Sequence, residues 1–395
     1  MTANQELGRS GSRRRLPKAR LAYQRFRQFL ALPGCYRQVR AFKECPRKGI
    51  ALAGDLLTLF FSYKTFPDHY GLCRLWEVDR DDWKYYYGSN YHPHQRSRIA
   101  AALKQQDYRI MFIDKFLCTM YGKGLGIPSP FTYGIVDPAE DFRARIRAWF
   151  QSTSSPALII KPLYGRGGLG IVIARKAGDR ITIQAPKGSV PLDDFVLEDR
   201  SVVQDLLRQD ERMSAFSPFS VNTLRIITMM AKRGEVILVN GSMRSGVGES
   251  FVDNWSAGGV SVGVDCERGV LKRYAYDRKW NRFAAHPTSG TVFEDYPIPE
   301  WEKVRAAAIS IQKAFSFYRM LGLDLAVGHG GEPLLIEING APDLAALEQK
   351  AGPLLKSRPV LRAFGEYDLL VNRHQRRLYA GLGLHEDPGG GKAGR

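Results

Sequence analysis

The alternation of apolar and polar positions changes texture along the chain. Residues 16–31 and 97–121 read as helical, the second carrying Ile99, Leu103, Ile110, Phe112, Ile113 and Phe116 at helical spacings with a break near Asp107. Gly122, Gly124, Gly126, Pro128 and Pro130 then mark a loop. From Leu158 short β-branched runs take over, at Leu158–Lys161, Ile171–Ala174, Ile181–Gln184 and Val202–Leu206. A longer β-rich stretch covers Leu224–Met230, Val236–Met243 and Val260–Val264. A helix is predicted from Trp301 to Arg319, followed by a hairpin over 323–339. Helices followed by strands arranged as hairpins imply α+β antiparallel layers and not alternating βαβ units. No internal repeat is present, and the chain turns Gly-rich after Glu386.

The hairpin carries the first candidate chemistry. Gly330-Gly331 is a two-residue type I′ turn signal between two apolar runs. With that turn His329 faces Glu332, and counting back pairs Asp324 with Glu337. Asn339, two residues on, leaves the same face as Glu337. Like charges directly opposite each other destabilise a sheet, and a divalent cation compensates them directly. All-oxygen ligands suit Mg²⁺ or Mn²⁺, with positions left over for phosphate oxygens and water. The competing reading is a half-exposed hairpin whose polar groups face solvent.

A second candidate lies upstream. Lys161-Pro-Leu-Tyr-Gly-Arg-Gly-Gly-Leu-Gly170 joins two apolar runs and satisfies GxGxxG at Gly165, Gly167 and Gly170. A dinucleotide fold needs a helix to begin there, and the sequence continues as a strand. A Walker loop needs Gly-Lys-Ser/Thr, and a protein kinase needs HRD and DFG motifs; all are absent. What remains is a strand–loop–strand flap, including Arg166 and Gly168, whose N–H groups can close over phosphates while Lys161 meets them from the incoming strand. The bland alternative is a flexible hairpin tip.

Composition adds two constraints. Five cysteines, at 35, 45, 73, 118 and 266, are scattered without a CxxC pair, which argues against a disulfide framework or a structural zinc site and for a reducing cytoplasm. The net charge is +18, and residues 1–50 supply +11 of it, with 13 Lys/Arg against two Asp/Glu. That leader reads as a nucleic-acid arm, a basic helix on an anionic membrane surface, or a solvated tail. The longest apolar run, Ile50 to Phe61, is broken by Asp55 and too short to span a bilayer. Ser12-Arg13-Arg14 resembles a twin-arginine export signal, but Arg25 and Arg27 interrupt the apolar stretch it requires.

Together these pieces resemble the ATP-grasp superfamily over about residues 110–345. Asp114-Lys115 is similar to that family's first nucleotide lysine and Lys161 to its second. Val202-Val-Gln-Asp-Leu206 resembles the hinge that holds adenine through backbone groups, with Gln204, Asp205 and Leu206 as its contacts. Gln204 stands where an acidic residue is usual. Asp210 and Glu211 are candidates for the ribose. Asp324, Glu337 and Asn339 match the metal triad in order and spacing. Asn222-Thr-Leu-Arg225, Met243-Arg244, Asp253-Asn-Trp-Ser-Ala-Gly-Gly259 and His286-Pro-Thr-Ser-Gly290 resemble a sugar-transfer-associated subgroup.

The resemblance implies two α+β subdomains clasping ATP between antiparallel sheets, beside a helical N-terminal region. The expected divisions are a basic leader over 1–48, a mainly helical region over 49–113, a small subdomain with the flap over 114–203, a metal-bearing subdomain over 204–371, and a tail over 372–395. It further implies an ATP- and magnesium-dependent ligase that activates a carboxylate as an acyl phosphate and passes it to an amine or hydroxyl. Arg225, Arg244 and Asn254 would be catalytic, and the setting polysaccharide or cell-surface biosynthesis. A small-molecule kinase and an inactive binding protein with a basic arm are the competing expectations. His286 is expected near substrate, not as a general base.

Overall fold

The structure, a computed structural model, describes residues 18–88, 93–165, 167–186, 188–251, 253 and 258–383. The N-terminal part is helical, with α1 (Lys18–Leu30), α2 (Leu32–Arg40), α3 (Gly49–Phe61) and α4 (Asp68–Leu72). Val39 and Cys45, which precede residue 48, share one apolar cluster with Leu52, Leu56 and Tyr70. Asp55 is buried on α3, where it accepts hydrogen bonds from Arg47 (3.0 Å) and the Tyr70 hydroxyl (2.8 Å) and pairs with Arg80. The expected helix over 97–121 resolves into α5 (Pro93–Leu103), a 3₁₀ turn over Gln106–Phe112 and α6 (Lys115–Gly124). Asp114 caps α6 by accepting from the N–H groups of Phe116 and Leu117.

The first sheet contains β1 (Thr132–Val136), β2 (Ala157–Pro162), β3 (Val172–Ala177), β4 (Arg180–Ala185), β5 (Gly188–Pro191) and β6 (Ser201–Asp205). They pair antiparallel in the order β1-β6-β2-β3-β4-β5. Helix α7 (Phe142–Ser152) lies against this sheet, packing Phe142, Ile146 and Phe150 on Leu158, Ile160 and Val203. Those i, i+4, i+8 positions and the Asp141 side chain that caps Ala144 were visible in the sequence, though neither α7 nor β1 was expected.

The second sheet follows the short α8 (Glu211–Ser214) and holds β7 (Leu224–Met230), β8 (Val236–Ser245), β9 (Val260–Asp265), β10 (Val270–Tyr276), β11 (Arg282–Phe283), then β12 (Met320–Val327) and β13 (Pro333–Asn339). Their order is β11-β10-β9-β8-β7-β12-β13, and every pairing is antiparallel. Helix α9 (Trp301–Ala314) covers one face through Val304, Ala308 and Ile311. It ends short of Arg319, where the backbone of residues 317–319 pairs with residues 103–105: Gln105 N–H donates to Phe317 O (3.3 Å) and Arg319 N–H to Leu103 O (2.7 Å). Helices α10 (Leu344–Ala351), α11 (Arg358–Glu366) and α12 (Arg373–Ala380) close the chain, and Leu347 and Phe364 pack under Ile227 and Met229. With helices on both faces, all eight residues of β12 are buried. The fold is therefore α+β with antiparallel layers, as the hydrophobic pattern implied.

One buried carboxylate ties the helical part to the second sheet. Glu348 on α10 accepts the N–H groups of Tyr87 (2.7 Å), Gly88 (3.1 Å) and Leu354 (3.1 Å), and lies 3.1 Å from His69 Nε2. Gly88 has φ +102°, and a Cβ there would meet Thr65 Oγ1 at 2.5 Å, so only glycine fits this approach. Burial opposes a charge on His69, but Cys73 and Glu348 outweigh it and hold the imidazole well above its ordinary pKa. Cys73 Sγ sits 3.3 Å from the same nitrogen, and burial pushes its pKa up against the lowering effect of His69. Glu348→Ala would leave three buried N–H groups and a buried imidazolium unpartnered. The expected loss is about 3–5 kcal/mol of unfolding free energy, read by urea denaturation, and a change under about 1 kcal/mol would refute the tie.

Candidate active site

The hairpin β12–β13 pairs Asp324 with Glu337 as the sequence implied, but by a different route. Gly330-Gly331 is not a two-residue turn. Gly328 faces Glu332, with Gly328 N–H donating to Glu332 O (2.8 Å) and Gly331 N–H to Gly328 O (2.8 Å), so the loop spans His329–Gly331. The His329 N–H is taken by Arg208 O (3.0 Å), and Gly328 bridges Gln209, which draws the tip into another segment. The extra loop residue shifts the register by one, and a bulge at Ile336 shifts it back: Leu325 faces Leu335, and Asp324 faces Glu337.

On its other side Asp324 faces Arg225 of β7. Asp324 is 2% exposed, and its carboxylate is gripped by Arg225 Nε and Nη2 (2.8 Å) and by Arg244 Nη2 (2.6 Å). Burial pushes the Asp324 pKa up, but the two guanidiniums outweigh it and hold the carboxyl below its usual range. For Arg244 burial likewise loses to Asp324, Asp253 and Glu337, and the guanidinium stays firmly charged. Its Nε and Nη2 also donate to Thr223 Oγ1 (3.2 and 3.0 Å). Thr223 in turn donates its hydroxyl and its N–H (3.2 Å) to Asp253, whose pKa burial raises. Thr223 and Asp253 lay inside recognised sequence segments, but nothing in their spacing distinguished them from their neighbours.

The two lysines approach from the first sheet. Lys161 ends β2 and is buried, with Nζ donating to Gln204 Oε1 (3.0 Å). Burial, helped by the nearby Lys115 charge, pushes its pKa down to about 8. Lys115 opens α6, donates Nζ to Gly165 O (2.5 Å) and lies 4.0 Å from Glu337. A cleft of about 110 Å³ gathers these groups: Lys115, Lys161, Gln204 and the flap glycines Gly165, Gly167 and Gly168 on one side, Arg244, Asp253, Asp324 and Glu337 on the other. Gly167, Gly168 and Gly170 all have positive φ, and a Cβ at Gly170 would meet Pro162 Cγ at 2.8 Å, so the flap's path requires glycine.

Other expected residues stand apart. Arg166 and Asn254 lie outside the described residues. Strand β6 is flanked by β1 and β2, so its backbone is committed to ladders on both sides and offers no free run of adenine contacts over 202–205. Asp205 accepts the Tyr133 hydroxyl (2.7 Å), and Leu206 N–H donates to Ala157 O (3.3 Å). Neither lines the cleft. Asp210 is taken bidentately by Arg212 (3.0 and 2.8 Å), Glu211 is exposed at the start of α8, and neither faces the cleft. His286 uses both nitrogens structurally: Nδ1 accepts from Thr288 and Ser289 (both 3.3 Å), and Nε2 lies 3.0 Å from Gly246 O, so that nitrogen carries the proton.

The metal triad is met in part. Asp324 and Glu337 are hard oxygen donors on the same cleft, a set that suits a magnesium-type ion; Glu337 is half exposed and 4.0 Å from Lys115, whereas both Asp324 oxygens are already held by Arg225 and Arg244. Asn339 faces Gly322, and its Oδ1 accepts the Ala341 N–H (2.9 Å), so it must release that bond to reach a metal. Among the described residues no group of three or more His, Cys, Asp or Glu side chains gathers for a metal.

The sequence pattern of the family described as sugar-transfer associated ATP-grasp matches residues 89–364. A comparison with curated protein sequences gave no match. Among solved structures, the chain is similar to the ADP complex of PurK, an N5-carboxyaminoimidazole ribonucleotide synthetase (12% identity, TM-score 0.36, over 58% of this chain and 45% of that one). It is similar to D-alanyl-alanine synthetase A from Vibrio cholerae O1 (10%, 0.41, over 68% and 65%). It also resembles VanG D-Ala:D-Ser ligase from Enterococcus faecalis (14%, 0.38, over 68% and 61%). The chain spans less than two thirds of each of those proteins. The matched pattern takes in both sheets and all the described cleft residues, and the chain belongs to the sugar-transfer associated ATP-grasp family.

Proposed function

We propose that the chain is an ADP-forming carboxylate–amine ligase that uses ATP and a divalent cation. The observation that carries this reading is the meeting, in one cleft, of two lysines and a glycine flap from the first sheet with a buried arginine–carboxylate cluster from the second. Lys161 and Lys115 supply positive charge beneath a flap whose N–H groups suit phosphate oxygens. A magnesium or manganese ion held by Glu337 and Asp324, with Asn339 if it turns, would screen the phosphate charge.

In the first step a substrate carboxylate oxygen attacks the γ-phosphorus, the bond to the β,γ-bridging oxygen breaks, and ADP leaves. In the second an amine nitrogen attacks the acyl carbon, phosphate leaves with the C–O electron pair, and the nitrogen loses a proton. Arg244, held charged in the cleft wall, would stabilise the oxyanion of that second step. Arg225 and Arg244 together hold both oxygens of Asp324 and would orient that carboxylate toward a bound metal. Arg166, Asn254, Asp205, Leu206 and Glu211 remain expected nucleotide or substrate contacts of the family pattern, without support from the cleft geometry. The family's association with sugar transfer supports a product destined for polysaccharide or cell-surface assembly, made in a reducing cytoplasm.

Three measurements test this. With ATP, Mg²⁺ and a panel of acids, added hydroxylamine should yield a hydroxamate; ADP release with phosphorylated product and no hydroxamate would establish a kinase instead. Glu337→Gln should lower turnover at least about a hundredfold at unchanged unfolding temperature, since the side chain is half exposed, and wild-type turnover would remove its metal role. Lys161 binds phosphate only when protonated, so ATP affinity should fall as pH rises through about 8. Lys161→Arg should abolish that inflection, and Lys161→Ala should weaken ATP binding about ten- to hundredfold. Flat affinity across that range in the wild type would overturn the assignment.

A further inference from the structure

The N-terminal helices expose a surface that the ligase reading leaves unused. Tyr23, Phe26 and Leu30 lie at i, i+3 and i+7 on α1 and are 62%, 59% and 61% exposed. On α3, Ile50, Leu57 and Phe61 follow at i, i+7 and i+11, with Ile50 92% exposed. Both stripes therefore run along single helix faces. They meet where Phe29 of α1 packs on Phe61 of α3, with ring centroids 6.1 Å apart. Arg25 locks the pair, donating to Phe60 O and lying 3.7 Å over the Phe60 ring. Isolated exposed apolar residues are ordinary, but two aligned stripes of large ones are not.

The segment that carries this surface is predominantly cationic. Between residues 22 and 48 there are seven Lys/Arg and a single acid, Glu44. Arg27, Arg37, Arg40, Lys43 and Lys48 are exposed and form no ion pair among the described residues. A second copy of the chain would bring the same positive face and be repelled. The preceding segment, residues 1–17, carries four Arg and one Glu and cannot neutralise it either. Duplex nucleic acid would satisfy the cations but keeps its bases stacked inside the helix and offers little to the apolar stripes. No helix among the described residues is long and apolar enough to cross a membrane.

From this pairing of aligned aromatic and aliphatic side chains with unpaired cations, we infer that the α1–α3 face docks in the plane of an anionic lipid bilayer, the apolar stripes entering the headgroup boundary and the cations meeting lipid phosphates and carboxylates. The inference is independent of the ATP site, because lipid binding alone reads it. Glu348 and the buried Asp55 cluster hold this face rigidly to the second sheet, so docking would fix the whole enzyme at the surface.

Co-sedimentation of the full chain with vesicles tests it. The protein should pellet with phosphatidylcholine–phosphatidylserine vesicles, stay in solution with phosphatidylcholine alone, and be released by salt. Phe26→Ser with Leu30→Ser leaves the charge unchanged and should lower partitioning about tenfold. Arg27→Gln, Arg37→Gln and Arg40→Gln together should lower it about a hundredfold. Should the serine pair lower the unfolding temperature, Ile50→Ser, at the most exposed position, gives the same reading without disturbing packing. Equal binding to both vesicle types, or wild-type partitioning by the serine pair, would overturn the inference. So would duplex DNA that displaces the vesicles while binding the serine pair undiminished, which would mark the face as a nucleic-acid arm.

Discussion

Everything in the cleft wall depends on one buried carboxylate being held by two guanidiniums from neighbouring strands. Asp324 is nearly inaccessible to water, and a buried ion without partners costs several kcal/mol. Arg225 across the ladder and Arg244 one strand further supply the partners. That requirement fixes register: a slip of one residue in β12 would turn Asp324 to the opposite face and strand all three charges. The same ion cluster that specifies how β7, β8 and β12 align thus decides which side chains form the wall. Glu337 inherits its place from this alignment, because β13 is registered on β12.

The hydrophobic pattern exposed much of this fold, and its failures have local causes. Strands with strong β-branched runs, such as 158–161 and 224–230, were found nearly to the residue. Asp324 and Glu337 were found opposite each other although the turn was read wrongly, because a loop one residue longer and a bulge at Ile336 cancel. Period-two alternation records the net register and is blind to two compensating shifts. The hinge was met only in part, with Gln204 but neither Asp205 nor Leu206 lining the cleft, and for another reason. That β6 lies between β1 and β2 is a long-range fact, and no local pattern shows which strands are flanked on both sides. The Lys161–Gln204 contact belongs to the same class, since it joins strands more than forty residues apart in sequence.

The N-terminal part was the least legible. Its helices carry apolar residues on more than one face, and composition alone cannot say which face meets the core. Leu52, Leu56 and Leu59 of α3 are buried, while Ile50, Leu57 and Phe61 of the same helix are not. The anchors that decide orientation are buried ions, Asp55 with Arg47 and Arg80, and Glu348 with His69. Each pairs residues far apart in sequence or on different elements, and a periodicity argument has no access to them.

The charge balance of the cleft bears on the proposed phosphate site. On the second-sheet side, Asp324 and Asp253 already meet Arg225 and Arg244, so that wall is nearly self-compensated. On the first-sheet side, Lys161 faces a neutral amide, Gln204, where the resemblance leads one to expect an acid. An acid there would neutralise Lys161 within the protein. With glutamine, the ammonium is buried against a dipole, its pKa falls to about 8, and its charge has no full counterion. An anion entering beneath the flap would restore the lysine's preference for its charged form and gain the interaction that the protein withholds. The substitution that departs from the family pattern therefore strengthens the case for an anionic ligand at this position.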